Sequence, residues 1–211
     1  MKYVYKLTEE ISRWAFEVHV NRIEAWDIIF TNPTAGPWKR VEATAPNGLR
    51  GEVYRFPRDE ERPDIVMVND QLKIILIFEA KDSLGKLTQG NQVPKSCSVV
   101  IDMARTLGKL KANQYWNNRW SYSFFNGLLW GSEERESDMS RISSTLNRYS
   151  EQMQRYITNI DPSVIIGIES YKNSEGQILL SAYAIGEEHK VQPILESLHL
   201  SNSAKVDGNS C

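Results

Sequence analysis

Apolar positions are densest between Arg62 and Asp82, in RPDIVMVNDQLKIILIFEAKD. The β-branched run IVMV, the turn formers Asn69 and Asp70, and the apolar run KIILIF predict a β-hairpin. Upstream, Thr8 is placed to cap a helix whose first turn carries Glu9 and Glu10, acids favoured at the positive end of the helix dipole. Ile11, Trp14, Ala15, Val18, Ala25 and Ile29 recur at helical spacing, so this helix is expected to bury them and to run to Asn32-Pro33. TNPTAGPWKRVEATAPNGLRG reads as loop, and Gly51 to Phe56 alternates as a strand. A polar loop after Lys81 leads into an expected helix from about Val99 to Gln114. Ser137 to Thr158 is amphipathic, with Ile142, Leu146, Tyr149, Met153, Tyr156 and Ile157 in one stripe. Val164 to Ile168 and Ile178 to Ala184 read as strands around the turn KNSEGQ, Lys190 to Leu200 as a last helix, and residues 201–211 as a disordered tail.

The 211 residues are expected to form one domain over 1–200, with an insertion at about 83–135. The two cysteines, Cys97 and Cys211, suggest neither a disulfide framework nor a zinc cluster, which fits a reducing cytoplasm. No apolar run approaches a membrane span, and MKYVYKLTEE lacks the apolar core of a signal peptide. The net charge of −2 gives no global attraction for nucleic acid. Within 83–130, however, Lys86, Lys95, Arg105, Lys109, Lys111 and Arg119 face a single acid, Asp102, and so suggest an anion-binding surface. A plain solvated face is the competing reading. The chain lacks GxxxxGK[ST], GxSxG, HExxH and paired CxxC, which removes support for ATP-driven motors, serine hydrolases and zinc peptidases.

Charge appears at the hairpin's ends. Pro63-Asp64 opens the first strand and Glu79-Ala80-Lys81 closes the second. Side chains alternate along a strand, so Glu79 and Lys81 share a face, and the hairpin returns Asp64 to their level. Mg²⁺ takes hard oxygen ligands and is commonly held by one or two carboxylates, waters and a substrate phosphate. Asp64 and Glu79 suit that role, with Lys81 placed to orient a water and offset developing negative charge. A buried structural ion pair is the alternative for the same residues.

Pro63, Asp64, Glu79 and Lys81 resemble the motif of the PD-(D/E)xK nuclease superfamily, which includes type II restriction endonucleases, Holliday-junction resolvases and repair nucleases. The resemblance implies an α/β fold with an αβββαβ core, a mixed central sheet flanked by helices. It also implies dependence on Mg²⁺, with Mn²⁺ as substitute, held by Asp64, Glu79 and the Ala80 backbone carbonyl, and a lysine, Lys81, at the attacking water. A further acid that approaches the metal in some members corresponds to Glu17 or to Glu52. Gln152 and Tyr156 match the Gln-x-x-x-Tyr pattern of some members, whose helix approaches the DNA backbone.

The expected activity is Mg²⁺-dependent cleavage of double-stranded DNA, most like a type II restriction enzyme or its catalytic subunit. A structure-specific recombination or repair nuclease, or a non-catalytic nucleic-acid-binding module, are the alternatives. Lys109 and Lys111 are expected on phosphates, and Asn117, Asn118 and Arg119 on base edges. A palindromic site favours a homodimer, with a different partner subunit as the other possibility.

Overall fold

A computed structural model describes residues 7–31, 63–87, 97, 100–101, 119, 121–156, 161, 163–200 and 202–205. The elements are α1 (Glu9–Val20), β1 (Asp27–Thr31), β2 (Ile65–Asn69), β3 (Ile74–Lys81), a 3₁₀ turn (Leu84–Lys86), β4 (Ser123–Ser132), α2 (Met139–Tyr156), β5 (Ile165–Lys172), β6 (Ile178–Ile185), α3 (Glu188–Ser197) and β7 (Asn202–Lys205). Cys97, Val100 and Ile101, between β3 and β4, are also helical.

The described strands form one seven-stranded sheet in the order β1-β2-β3-β4-β5-β6-β7. The first three strands are antiparallel neighbours, β3, β4 and β5 run parallel, β6 reverses, and β7 lies parallel to β6. The protein is thus an α/β fold with a mixed sheet flanked by helices. Both faces are covered. On one, Phe16 and Val20 of α1 and Val191, Ile194 and Leu195 of α3 pack over Ile65, Met67, Leu76, Phe78, Leu129 and Ile166. On the other, Ile142, Leu146, Tyr149 and Met153 of α2, with Cys97, Val100 and Ile101, cover Val66, Val68, Ile75, Ile77 and Trp130. Burial on both sides explains why β2 and β3 read as continuous apolar runs.

The expected hairpin is present, with β2 and β3 paired from Asn69↔Ile74 to Ile65↔Phe78. Its turn uses the anticipated chemistry: Leu72 N–H donates to Asn69 Oδ1 at 2.9 Å, and Lys73 adopts φ 56°.

Four expectations are corrected. α1 is capped by Thr8, whose Oγ1 accepts from Ile11 N–H at 3.3 Å, but it stops at Val20. Asp27–Thr31 is the strand β1 rather than helix, because its β-branched side chains pair with β2. Trp14, expected in the core, is 61 % exposed, since the buried face of α1 is Ser12, Phe16 and Val20. The segment 83–135 is not simply an insertion: FFNGLLW lies in β4, which pairs with β3 from Ile74↔Ser123 to Lys81↔Trp130. Finally, the expected disordered tail contains β7, paired with Ser181 to Ala184. The expected strand 51–56 lies outside the described residues.

Close packing sets the β3–β4 spacing. A Cβ at Gly127 would sit 2.4 Å from the ring of Phe78, which is fully buried. One at Gly131 would sit 2.8 Å from Ser12 Oγ, where α1 crosses β4. Because Phe78 has no free volume to yield into, Gly127→Ala should destabilise the fold by about 1–3 kcal/mol. A urea unfolding curve reads this, and an unchanged midpoint would refute the packing account.

Candidate active site at the end of the β2–β3 hairpin

Asp64 immediately precedes β2, and its N–H donates to Phe78 O at 2.9 Å. That bond sets Asp64 beside Glu79. The Asp64 carboxylate then continues the ladder just before β2, Oδ2 accepting from the Ala80 N–H at 2.8 Å. Two residues on, the Lys81 ammonium donates to Glu79 Oε1 at 2.5 Å. Asp64 and Glu79 side chains are each only 7 % exposed, and Lys81 is 18 % exposed.

Two carboxylates so close and so dry oppose each other's ionisation. Burial first, and the charge of Asp64 second, push Glu79 up to about 7, against the opposing pull of Lys81. Burial of the Lys81 ammonium works against its charge, but Glu79, Glu9 and Asp64 together outweigh it and raise the lysine above its ordinary value. Lys81 is therefore a stable cation at neutral pH.

One face of α1 supplies three more charges. Glu9, Arg13 and Glu17 stand at i, i+4 and i+8 on one helix face. Arg13 Nε lies 3.5 Å from Glu17 Oε1, and its Nη1 lies 3.6 Å from Asp64 Oδ1. Burial and the charge of Asp64 raise Glu17, with Arg13 opposing. Burial, Asp64 and Asp82 raise Glu9, with Lys81 and Arg13 opposing. Glu9 thus feels both hairpin ends, and the sequence reading assigned it only to the helix dipole. Its spacing from Arg13 and Glu17 was the available signal. The N–H of Glu9 also donates to Asp82 Oδ1 at 3.2 Å, tying α1 to the strand beyond Lys81.

α2 covers the Glu79 side of the sheet. Its Tyr149 is fully buried and accepts from Asn126 Nδ2 at 2.8 Å, while Cys97 Sγ donates to Asn126 Oδ1 at 3.1 Å. Burial, with the charges of Cys97 and Glu79, pushes the Tyr149 phenol well up. Gln152 is half-buried on the same helix, and Tyr156 is its last residue.

Arg119 is placed elsewhere. Its Nε and Nη2 fork onto Asp70 at 2.8 and 2.5 Å, and Nη2 also reaches Asp27 at 3.3 Å. It therefore clamps the hairpin turn to β1, at the end of β3 remote from Glu79. Hydrogen bonding to Arg119 holds Asp70 below the usual carboxylate range. This guanidinium is engaged by the turn and by β1, which gives Arg119 a structural role beside the base-edge contact expected of it. Glu52, Lys109, Lys111, Asn117 and Asn118 lie outside the described residues, as does the Tyr156 side chain.

No protein-family model, curated protein or solved structure matches this chain.

Among the described residues, no three or more His, Cys, Asp or Glu side chains are grouped closely enough to hold a metal by themselves. The donor set still fits a hard divalent cation, because Mg²⁺ needs only one or two carboxylates beside water and phosphate. Asp64 and Glu79 would hold it. The fit is electrostatic: Asp64 and Glu79 are buried side by side with the Lys81 ammonium on Glu79, and a divalent cation would add positive charge between two carboxylates that oppose each other.

Glu79 binds its proton more tightly in the folded protein, about 7, than at the ordinary 4.5. The native state then holds more protons than the unfolded state between those values, so stability falls as pH rises from about 4.5 to about 7, by up to roughly 3 kcal/mol. Denaturant midpoints of the metal-free protein across that window should show the decline, and Glu79→Gln should flatten it. An equally steep decline in the variant would assign it to other groups.

Proposed function

We propose that this protein is an Mg²⁺-dependent endonuclease of the PD-(D/E)xK type, hydrolysing phosphodiester bonds in double-stranded DNA. The observation that carries the reading is the pair of buried carboxylates, Asp64 and Glu79, side by side across β2–β3 with the Lys81 ammonium on Glu79. The order α1-β1-β2-β3, then the helical residues Cys97, Val100 and Ile101, then β4 parallel to β3, is what an αβββαβ core would require and so supports the reading. A binding-only module has no chemical need for this charge cluster.

In this mechanism a bound Mg²⁺ supplies Lewis-acid polarisation of a phosphoryl oxygen and a lowered pKa for the attacking water. Asp64 and Glu79 hold it, Asp64 itself fixed by the Ala80 N–H. Lys81, transferred from Glu79 to the water and the phosphate, orients the nucleophile and balances charge in the transition state. The water oxygen would give a proton to bulk solvent as it forms the new bond to phosphorus, the bond from phosphorus to the leaving sugar oxygen would break, and that oxygen would take a proton from solvent. The apolar sheet and α1 exclude bulk water behind the carboxylates.

The preferred substrate is a short duplex sequence, read by a homodimer in which each active site cuts one strand. Such an enzyme would act in the cytoplasm. Among the described residues no helix is long and apolar enough to cross a membrane.

Plasmid incubated with Mg²⁺ should yield discrete fragments, whereas cutting confined to branched or damaged DNA would mark a structure-specific nuclease. Asp64→Ala and Lys81→Ala should each lower cleavage by at least about 10²-fold, the scale of losing one charge-stabilising group. Duplex binding, measured in Ca²⁺, should persist. Cutting that survives either substitution would sink the assignment.

A further inference from the structure

Arg13 and Arg119 are buried to nearly the same degree, with side chains 12 % and 14 % exposed, yet they are held differently. Arg119 forks onto Asp70 at hydrogen-bond distances of 2.8 and 2.5 Å. Arg13 approaches Glu17 and Asp64 only to 3.5 and 3.6 Å, beyond the roughly 2.7–2.9 Å of a charge-assisted hydrogen bond. Its backbone is fixed, because Ser12 accepts from Ser170 Oγ at 2.6 Å and Phe16 is fully buried. What keeps a desolvated guanidinium at such loose contacts is the surplus of acid around it, in Glu9, Glu17 and Asp64.

We propose that Arg13 is an exchangeable counter-cation of this site. In the metal-free protein it neutralises Asp64. When a divalent cation binds Asp64 and Glu79, the guanidinium gives way and turns to the phosphate of the bound nucleic acid. This rests on the endonuclease reading and adds to it a positioning residue and a competition. The contact with Asp64 is made by the terminal Nη1 at 3.6 Å, so rotation of the outer side-chain bonds lengthens it while α1 stays in place. A planar fork of donors suits a tetrahedral phosphate better than it suits two separated carboxylates.

The competition distinguishes this role from a static ion pair. Removing a cation that repels and displaces the metal should tighten metal binding, even as it weakens catalysis. Calorimetric titration with Ca²⁺ alone, without DNA, should show Arg13→Gln binding on the order of tenfold tighter than the unmodified chain, a modest share of the repulsion expected at this distance. Mg²⁺-dependent plasmid cleavage by the same variant should fall on the order of 10²-fold. Arg13→Lys keeps the charge and loses the fork, so it should retain the unmodified Ca²⁺ affinity while cutting more slowly. Should Arg13→Gln not fold, the lysine variant decides: unchanged cleavage, or altered Ca²⁺ affinity, overturns the proposal. Calcium affinity that is equal or weaker in Arg13→Gln marks a merely structural pair and overturns it while leaving the endonuclease reading intact. If the unmodified chain binds neither Ca²⁺ nor Mg²⁺, both readings fall together.

Discussion

The Asp64 and Glu79 carboxylates meet at one end of a sheet whose neighbouring positions are apolar, and their desolvation governs what surrounds them. An isolated buried carboxylate is very costly, and two side by side repel. The fold answers with a backbone N–H on Asp64, an ammonium on Glu79 and a guanidinium near Asp64. These do not fully offset the burial, as the raised Glu79 records. The endonuclease reading proposed above takes this shortfall of positive charge as the place for a divalent cation and a phosphate, whereas a buried structural ion cluster would leave it unfilled.

Other buried polar groups gather at the same end of the sheet. Lys81, Trp130, Glu169 and Ser181 stand in one cross-strand row of β3, β4, β5 and β6. Glu169 is fully buried and accepts from Glu136 N–H at 2.8 Å and from the Tyr183 hydroxyl at 2.9 Å. These bonds fix the loop that leads into α2, and α2 in turn covers the Glu79 side. The apolar stripe of α2 and the Asn126–Tyr149 bond hold that cover in register with β4. Rigid scaffolding of this kind is what a reacting group needs if it is to keep its geometry without substrate.

The hairpin and its charges were legible in the sequence because both signals are local: alternation along a strand and turn formers at its tip. Glu79 and Lys81 share a face by period alone, and Asp64 joins them because the turn sets a register that pairs Ile65 with Phe78. Three features resisted for physical reasons. FFNGLLW is apolar on both faces, so nothing local separates a central strand from a satellite cluster, and only the pairing with Ile74 to Lys81 decides it. The true face of α1 includes Ser12, whose small polar side chain is chosen for close approach to Gly131 and Ser170 rather than for hydrophobicity. A hydrophobic count therefore favoured Trp14 instead. Arg13 carries no motif. Its meaning depends on Asp64, fifty-one residues away in the chain, and appears only when α1 is laid across the sheet.

The turn at Asn69–Lys73 acts as a gauge for the opposite end of the hairpin. It fixes where β2 begins to pair with β3, and five residues further back along β2 that choice determines which side chain stands beside Glu79. A slip of one residue would exchange the faces of the whole strand. Asp64 would be carried out of alignment, and Pro63 or Ile65, neither able to bind a cation with its side chain, would stand nearest. Asn69, whose Oδ1 holds the turn closed, lies about 17 Å from Asp64 along an extended strand. A side-chain amide that touches no reacting group therefore sets the spelling of the site.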